Sequence, residues 1–278
     1  MLDEKVEAAL VQLVRSVAKT EILPRFRRLS TSDVATKTGP EDLVTEADVN
    51  AEAAIAAGVR TLLPDALIVG EEATETRPEL LDQLATAPLS VIVDPVDGTW
   101  NFAKGLATFG VILAVAERGE TVFGLLYDPV VDDWIWARRG GGTWYATADG
   151  ATERLTLAAS TPGDLTGFVP LFNFPPAVRV RLADDMPGLR RIWSVRCSCH
   201  EYRTLVFGGA DFCVSNALKP WDHAAGALAV SEAGGAVGLV DGRPYWASVT
   251  SAGSLVTARS PSVLARVRET MSVLLDGA

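Results

Sequence analysis

The sequence predicts a mixed α/β (α+β) fold, and three observations carry that expectation. Apolar residues recur at helical spacing near the start and again before residue 62, a block of segments rich in Val, Ile, Phe and Trp follows, and strand-like and helix-like segments then alternate. With 278 residues, 48% of them hydrophobic, the chain can bury a sizeable core. Two subdomains of one compact unit are expected, an α+β part at 1–145 and an α/β part at 146–278.

Over 3–28, Val6, Leu10, Leu13, Val14 and Val17 mark the buried stripe of an amphipathic helix, with Pro24 near its end. The polar segment 30–41, with Gly39 and Pro40, reads as a loop or loose hairpin whose Lys37 is exposed. Asp48, Ala51, Ala54, Ile55 and Val59 place a second helix at 47–62, stopped by Pro64. Short apolar runs at 66–69 and 90–93 lead into Glu71, Glu72 and Asp94, which puts those carboxylates at strand ends. Segments 109–117, 121–127 and 133–137 predict an antiparallel meander. Short strands near 143–146 and 154–158 precede an irregular Pro-rich stretch at 161–188. A strand at 191–195, a helix at 198–207, a strand at 211–215, a helix at 221–233 and strands near 236–239 and 254–257 complete the chain.

The charge balance, 25 Lys and Arg against 35 Asp and Glu, gives a net charge of −10 and argues against nucleic acid or an anionic membrane as partner. An acidic protein that handles a small phosphate ester needs local neutralisation, and divalent cations supply it. Cys197, Cys199 and Cys213 are too few and too clustered for a disulfide framework, so a reducing cytoplasm is the expected setting. Asp3 and Glu4 stand where a signal peptide carries basic residues, and no apolar run reaches the roughly 18 residues of a spanning helix.

The run DPVDGT at 94–99 places two carboxylates three residues apart directly after an apolar strand, a turn that can aim both at one hard cation. Gly98 and Thr99 then open a helix whose first amides suit a phosphate oxygen. Such a run is also an ordinary surface turn, and an Asp at a helix start such as Asp222 is commonly a cap. Company strengthens the chemical reading: Gly70, Glu71 and Glu72 end another strand, and WDHAAG at 221–226 begins a helix of small residues.

These segments resemble the inositol monophosphatase family. KTGPEDLVTEAD at 37–48 is similar to its K-x-x-x-D-x-V-T-x-x-D element, Gly70–Glu71–Glu72 to its G-E-E element, DPVDGTWNF at 94–102 to D-P-[IL]-D-G-T-x-N-[FY], and WDHAAG to W-D-x-A-[AG]-G. All four occur in the family's order, and the match covers 37–145 and 208–240 better than 150–195. The resemblance implies a layered αβαβα sugar-phosphatase fold, a homodimer, and two or three Mg²⁺ ions. It makes 1–145 the metal- and phosphate-binding part and 146–278 the substrate side. On it, Glu71, Asp94 and the Val96 carbonyl hold one metal, and Asp94, Asp97 and Asp222 a second. Thr99 with Glu71 orients the metal-activated water, Asp48 faces the metals through water, and the amides of Gly98 and Thr99 hold the phosphate. Lys37 neighbours a third metal position, while Asp42 and Thr45 steady this element. The substrate is a small phosphorylated polyol or sugar, with Asp222, Ser215, Arg196 and Ser198 on its side of the site.

Two departures bear on specificity. Arg196, Cys197 and Ser198 stand where the family has a G-[ST]-A-A-like run, adding a cation that favours a second anionic group on the substrate. Ser215 occupies a position where inositol-specific members have a Glu that binds sugar hydroxyls, which argues against narrow inositol specificity. Histidinol phosphate, fructose 1,6-bisphosphate and 3′,5′-bisphosphate nucleotides are alternative substrates, and a regulatory protein binding the transcription machinery is the alternative of another class. A zinc site at Cys197, Cys199 and His200 lacks a fourth ligand at recognisable spacing, and His223 is expected to pack or cap rather than ligate.

Overall fold

The first helix, α1 (Glu4–Val17), is started by Asp3, whose side chain accepts the Lys5 amide, and carries Glu4 and Glu7 where the helix dipole favours negative charge. The computed structural model describes residues 2–39, 41–158, 163–185, 189–251 and 253–272. The helix expected over 3–28 does not run on as one α-helix. It widens to a π turn at Ala18–Ile22 and tightens to a 3-10 turn at Leu23–Arg25, where Pro24 has no amide to offer the α pattern. Segment 30–41 is a hairpin, β1 (Val34–Gly39) antiparallel to β2 (Asp42–Thr45), with Pro40 outside the described residues. Thr45 caps α2 (Glu46–Leu62) through the Ala47 amide.

Next come β3 (Leu67–Gly70), α3 (Glu71–Thr76), α4 (Glu79–Gln83), β4 (Ser90–Asp97) and α5 (Thr99–Ala103). The meander follows as β5 (Gly110–Glu117), β6 (Glu120–Asp128), β7 (Asp133–Arg138), β8 (Gly142–Thr147) and β9 (Thr152–Leu155). These strands form one seven-stranded sheet in chain order from β3 to β9, antiparallel except for the β3–β4 pair. Residue 145 lies inside β8, so this sheet runs on to Leu155. Central strands read as unbroken apolar runs because both faces are covered. Val91, Val93, Val111, Leu113 and Val115 join the core under α1 and α2, while Ile92, Ile112, Ala114 and Ala116 join the opposite core.

The remaining elements are β10 (Leu165–Phe168), α6 (Pro176–Asp185), β11 (Leu189–Trp193), α7 (Ser198–Val206), β12 (Phe212–Ser215), α8 (Pro220–Glu232), β13 (Ala236–Leu239), β14 (Leu255–Ala258) and α9 (Pro261–Thr270). Their sheet has the order β11-β10-β12-β14-β13. The irregular stretch expected at 161–188 is therefore corrected: it holds β10 and α6, while residues 161, 162 and 186–188 lie outside the described residues. Pro176 opens α6, the helix position that tolerates proline, and β10 is fixed by parallel pairing to β11 and β12, partners distant in sequence. The described residues thus stack as α1 and α2, the seven-stranded sheet, α7 and α8, the five-stranded sheet, and α9, an αβαβα layering. Gly226 lets α8 approach α7 closely, since a Cβ there would lie 2.2 Å from the Tyr202 ring. No helix among the described residues is long and apolar enough to cross a membrane.

Candidate active site

In a regular strand, carboxylates three residues apart point to opposite faces. The β4–β5 register shifts between Asp94, paired with Ile112, and Asp97, paired with Gly110, so β4 carries one extra residue at Pro95–Val96. That bulge brings both side chains to one side, and Pro95 suits a position that forgoes a ladder amide. The first turn of α8 delivers Asp222, and carboxylate oxygens of Asp94, Asp97 and Asp222 come within 4.8 Å of one another. Among the described residues this is the only such cluster, and the Cys197, Cys199 and His200 zinc reading finds no support. Instead, Cys199 Sγ points at the Tyr127 carbonyl and His200 Nε2 lies 3.1 Å from that of Phe109.

Gly98 has φ +88°, and a Cβ there would meet the Thr108 carbonyl oxygen at 3.0 Å, so the turn from β4 into α5 requires glycine. It sets the Thr99 hydroxyl 3.0 Å from both Asp48 Oδ1 and the Val96 carbonyl. Asp48 and the Val96 carbonyl thus meet at Thr99, which lines the cavity. The Asp48 carboxylate also accepts the Thr45 amide at 2.9 Å and the Thr45 hydroxyl at 2.6 Å. Burial, only partly offset by those hydrogen bonds, pushes Asp48 up to about 6.

The cavity, about 260 Å³, is lined by Glu71, Asp94, Asp97, Gly98, Thr99, Arg196, Ser198, Ser215 and Asp222 among others. Of the sequence-predicted catalytic, metal-holding and substrate-binding residues, all but Asp48 and Val96 line this cavity, and several make contacts that the sequence does not indicate. Ser198 turns its amide to Asp97 Oδ1 at 3.1 Å, the Cys199 amide bonds Oδ2, and Cys197 Sγ lies 3.2 Å from Oδ2. The Cys197–Ser198–Cys199 run thus clasps Asp97 at the start of α7. The Arg196 guanidinium pairs with Glu41 and lies 4.4 Å from the Trp100 ring centre and 5.3 Å from that of Phe172. Ser215 Oγ closes a turn with the Ala217 carbonyl at 3.1 Å. His223 is buried between the Tyr202 hydroxyl and the Ala217 carbonyl, packing as expected.

Lys37 is not exposed: its side chain is 8% accessible, with Nζ 3.2 Å from Glu71 Oε1 and 2.7 Å from Glu72 Oε1. Burial works against its charge, but Glu71 and Glu72 outweigh it and hold the ammonium above its ordinary value. Sequence reasoning also missed three residues. Glu52 accepts the Glu72 and Ala73 amides at 2.7 and 2.8 Å, fixing the start of α3 and with it Glu71. Its signal was a carboxylate four residues after Asp48 on the same helix face. Lys219 lines the cavity near Asp222 and Glu71; burial opposes its charge and those carboxylates raise it. Glu201, on α7, lines the substrate side, and nothing in the local sequence sets it apart from a solvated helix residue.

The donor set fits a hard divalent cation. Burial, then Glu71, Asp97 and Asp222, push Asp94 well above the usual carboxylate range, and burial with Asp222 pushes Asp97 up to about 8. Negative charge is concentrated there on oxygen ligands, the chemistry magnesium prefers.

The sequence pattern described as Inositol monophosphatase family matches residues 2–272. A Thermotoga maritima protein named fructose-1,6-bisphosphatase/inositol-1-monophosphatase is 31% identical over 205 residues, 74% of each chain. The Escherichia coli protein named Nus factor SuhB is 33% identical over 213 residues, 73% of this chain and 74% of its own. Among solved structures, an IMPase of Thermotoga maritima superposes with a TM-score of 0.78 at 24% identity, covering 99% of both chains, a likeness of fold. The chain belongs to the inositol monophosphatase family.

Proposed function

We propose that the protein is a Mg²⁺-dependent phosphomonoesterase that hydrolyses a small phosphorylated polyol or sugar by attack of water. The carrying observation is the Thr99 hydroxyl, held 3.0 Å from Asp48 at the edge of the Asp94, Asp97 and Asp222 cluster. Asp94, Asp97 and Asp222, with Glu71 and the Val96 carbonyl, would hold the metals. Mg²⁺ held there would supply charge neutralisation at the phosphate, a more acidic water and stabilisation of the departing alkoxide. Thr99 passes its proton to Asp48 as it takes one from the attacking water, and a carboxyl near 6 suits that exchange at neutral pH. Glu71 helps to orient the water, and the Gly98 and Thr99 amides steady the phosphate. Lys219, beside Asp222 and Glu71, adds positive charge at the phosphate end. The family resemblance supports a homodimer, which sedimentation of the purified protein tests, and the three cysteines, free in the structure, suit a reducing cytoplasm.

A panel of phosphate esters assayed with Mg²⁺ and with chelator tests the reading. Turnover that survives chelation, or no turnover of any ester, sinks it. Relatives named Nus factor SuhB favour a second reading, a regulatory binding role alongside catalysis. Association with the transcription machinery that survives Asp97→Asn would support it, and lack of association would remove it.

A further inference from the structure

Resting on the phosphatase reading, we propose that Glu201 sets specificity on the substrate wall, and that the alcohol part of its ester carries a protonated amine. Glu201 lines the same cavity as Asp222 and Ser215, and the Ser194 hydroxyl and Val195 amide both donate to its Oε1, at 2.9 and 3.0 Å. These donors, with the Arg196 amide that also reaches the carboxylate, are all neutral.

Lys37 meets Glu71, and on the phosphatase reading bound Mg²⁺ would neutralise Asp94, Asp97 and Asp222. Arg196, the cation of the substrate wall, is engaged by Glu41 and stacked between Trp100 and Phe172, so it does not compensate Glu201. Among the described residues no ion pair closes on Glu201. Burial, with Asp222 adding to it, pushes its carboxyl up to about 7, as befits a group without a countercharge. A neutral polyol leaves that charge uncompensated, whereas an ammonium supplies both the hydrogen bond and the charge. Ser215, with its hydroxyl turned to Ala217, does not compete for the ligand. On this proposal the wall favours a cation, where the Arg196–Cys197–Ser198 run by itself suggests a second anionic group.

Glu201 also ties the 194–196 turn to α7, and a purely structural role would rest on that tie alone. Glu201→Gln separates the two, since its amide oxygen still accepts from Ser194 and Val195 while the charge is gone. The test compares kcat/KM with Mg²⁺ on matched pairs, glucosamine 6-phosphate against glucose 6-phosphate and ethanolamine phosphate against 2-hydroxyethyl phosphate. The wild type should prefer the amine in at least one pair by about tenfold or more, and Glu201→Gln should bring that ratio near one. A wild-type preference in neither pair, or a preference that Glu201→Gln leaves unchanged, overturns the proposal. If no ester is hydrolysed, p-nitrophenyl phosphate included, the phosphatase reading fails instead. Calorimetric titration of the same pairs with Ca²⁺ present then judges the amine preference by the same ratio.

Discussion

The carboxylate side of the cavity hangs on the ends of β3 and β4 and the start of α8, all continuous with the core, whereas the facing side is carried by the 194–197 turn, the half-exposed Phe172 and the end of β12. On the first side backbone geometry and side-chain or amide partners together fix Asp97, Asp48 and the start of α3. The bulge aims Asp94 and Asp97, the start of α7 clasps Asp97, Thr45 holds Asp48, and Glu52 holds the start of α3. The second side is fixed by a few side-chain contacts, chiefly Arg196 with Glu41 and Glu201 with Ser194. On the proposed function, chemistry common to all monoesters would sit on the rigid wall, and selection of the alcohol would fall to the wall that changes at least cost to the fold.

The largest effects should come from the rigid wall. Asp97→Asn and Asp222→Asn are expected to lower Mg²⁺-dependent kcat/KM by about a thousandfold or more while the circular dichroism spectrum is kept, because each removes charge but little volume. Activity of both variants within tenfold of wild type would break the division between the two sides. The same wall gives the metal-free protein an unusual pH dependence. Asp94, Asp97, Asp48 and Glu71 all bind protons more tightly folded than unfolded. The folded state thus carries more protons above the ordinary carboxylate range of about 4, and stability falls as pH rises toward about 8. In chelator, Tm should be higher at pH 5 than at pH 8, and Mg²⁺ should restore stability at pH 8. A Tm that rises with pH in chelator would contradict this.

How much of each wall could be read from sequence follows the same division. Asp94, Asp97, Thr99 and Asp222 were legible because their chemistry depends on short spacings after a strand or at a helix start. The α1, α2 and meander positions were legible because apolar periodicity survives wherever a face is buried. Lys37 was misread because polar neighbours signal exposure locally, while Glu71 and Glu72 reach it across the fold. Glu201 escaped for the converse reason: helix glutamates are ordinarily solvated, and its burial depends on the packing of α7 against α8 and β12. The β10 and α6 segment was obscured by prolines whose tolerance depends on where each element begins.

Smaller effects sharpen the comparison where the walls meet. Thr99→Val keeps shape but removes the hydroxyl between Asp48 and the Val96 carbonyl, so kcat should fall roughly a hundredfold with KM little changed. A rise in KM at constant kcat would instead make Thr99 a binding residue. Lys37→Met removes the cation that ties the β1–β2 hairpin to Glu71 and Glu72. Amide exchange across 34–39 should then quicken by about tenfold or more, with the core strands unaffected. Equal protection in both proteins would show that the hairpin holds without the ion pair.

The smallest effect is expected on the facing wall, at Ser215. Its hydroxyl donates to the Ala217 carbonyl and accepts the Ala217 amide at 3.3 Å, so it serves the turn rather than a substrate hydroxyl. Ser215→Ala loses that local bond and should change kcat/KM on polyol phosphates by less than about threefold, under roughly 0.7 kcal/mol in transition-state terms. With no polar group of Ser215 waiting for an inositol hydroxyl, wild-type preference for myo-inositol 1-phosphate over other polyol phosphates should stay below about a hundredfold, roughly 2.7 kcal/mol. The two measurements are separable. A large loss on Ser215→Ala, confined to myo-inositol 1-phosphate, would mean the serine leaves Ala217 to meet the substrate. A strong preference that survives Ser215→Ala would instead place inositol recognition on another residue of that wall. Either result would show that the facing wall holds a polar contact as specific as those of the carboxylate side.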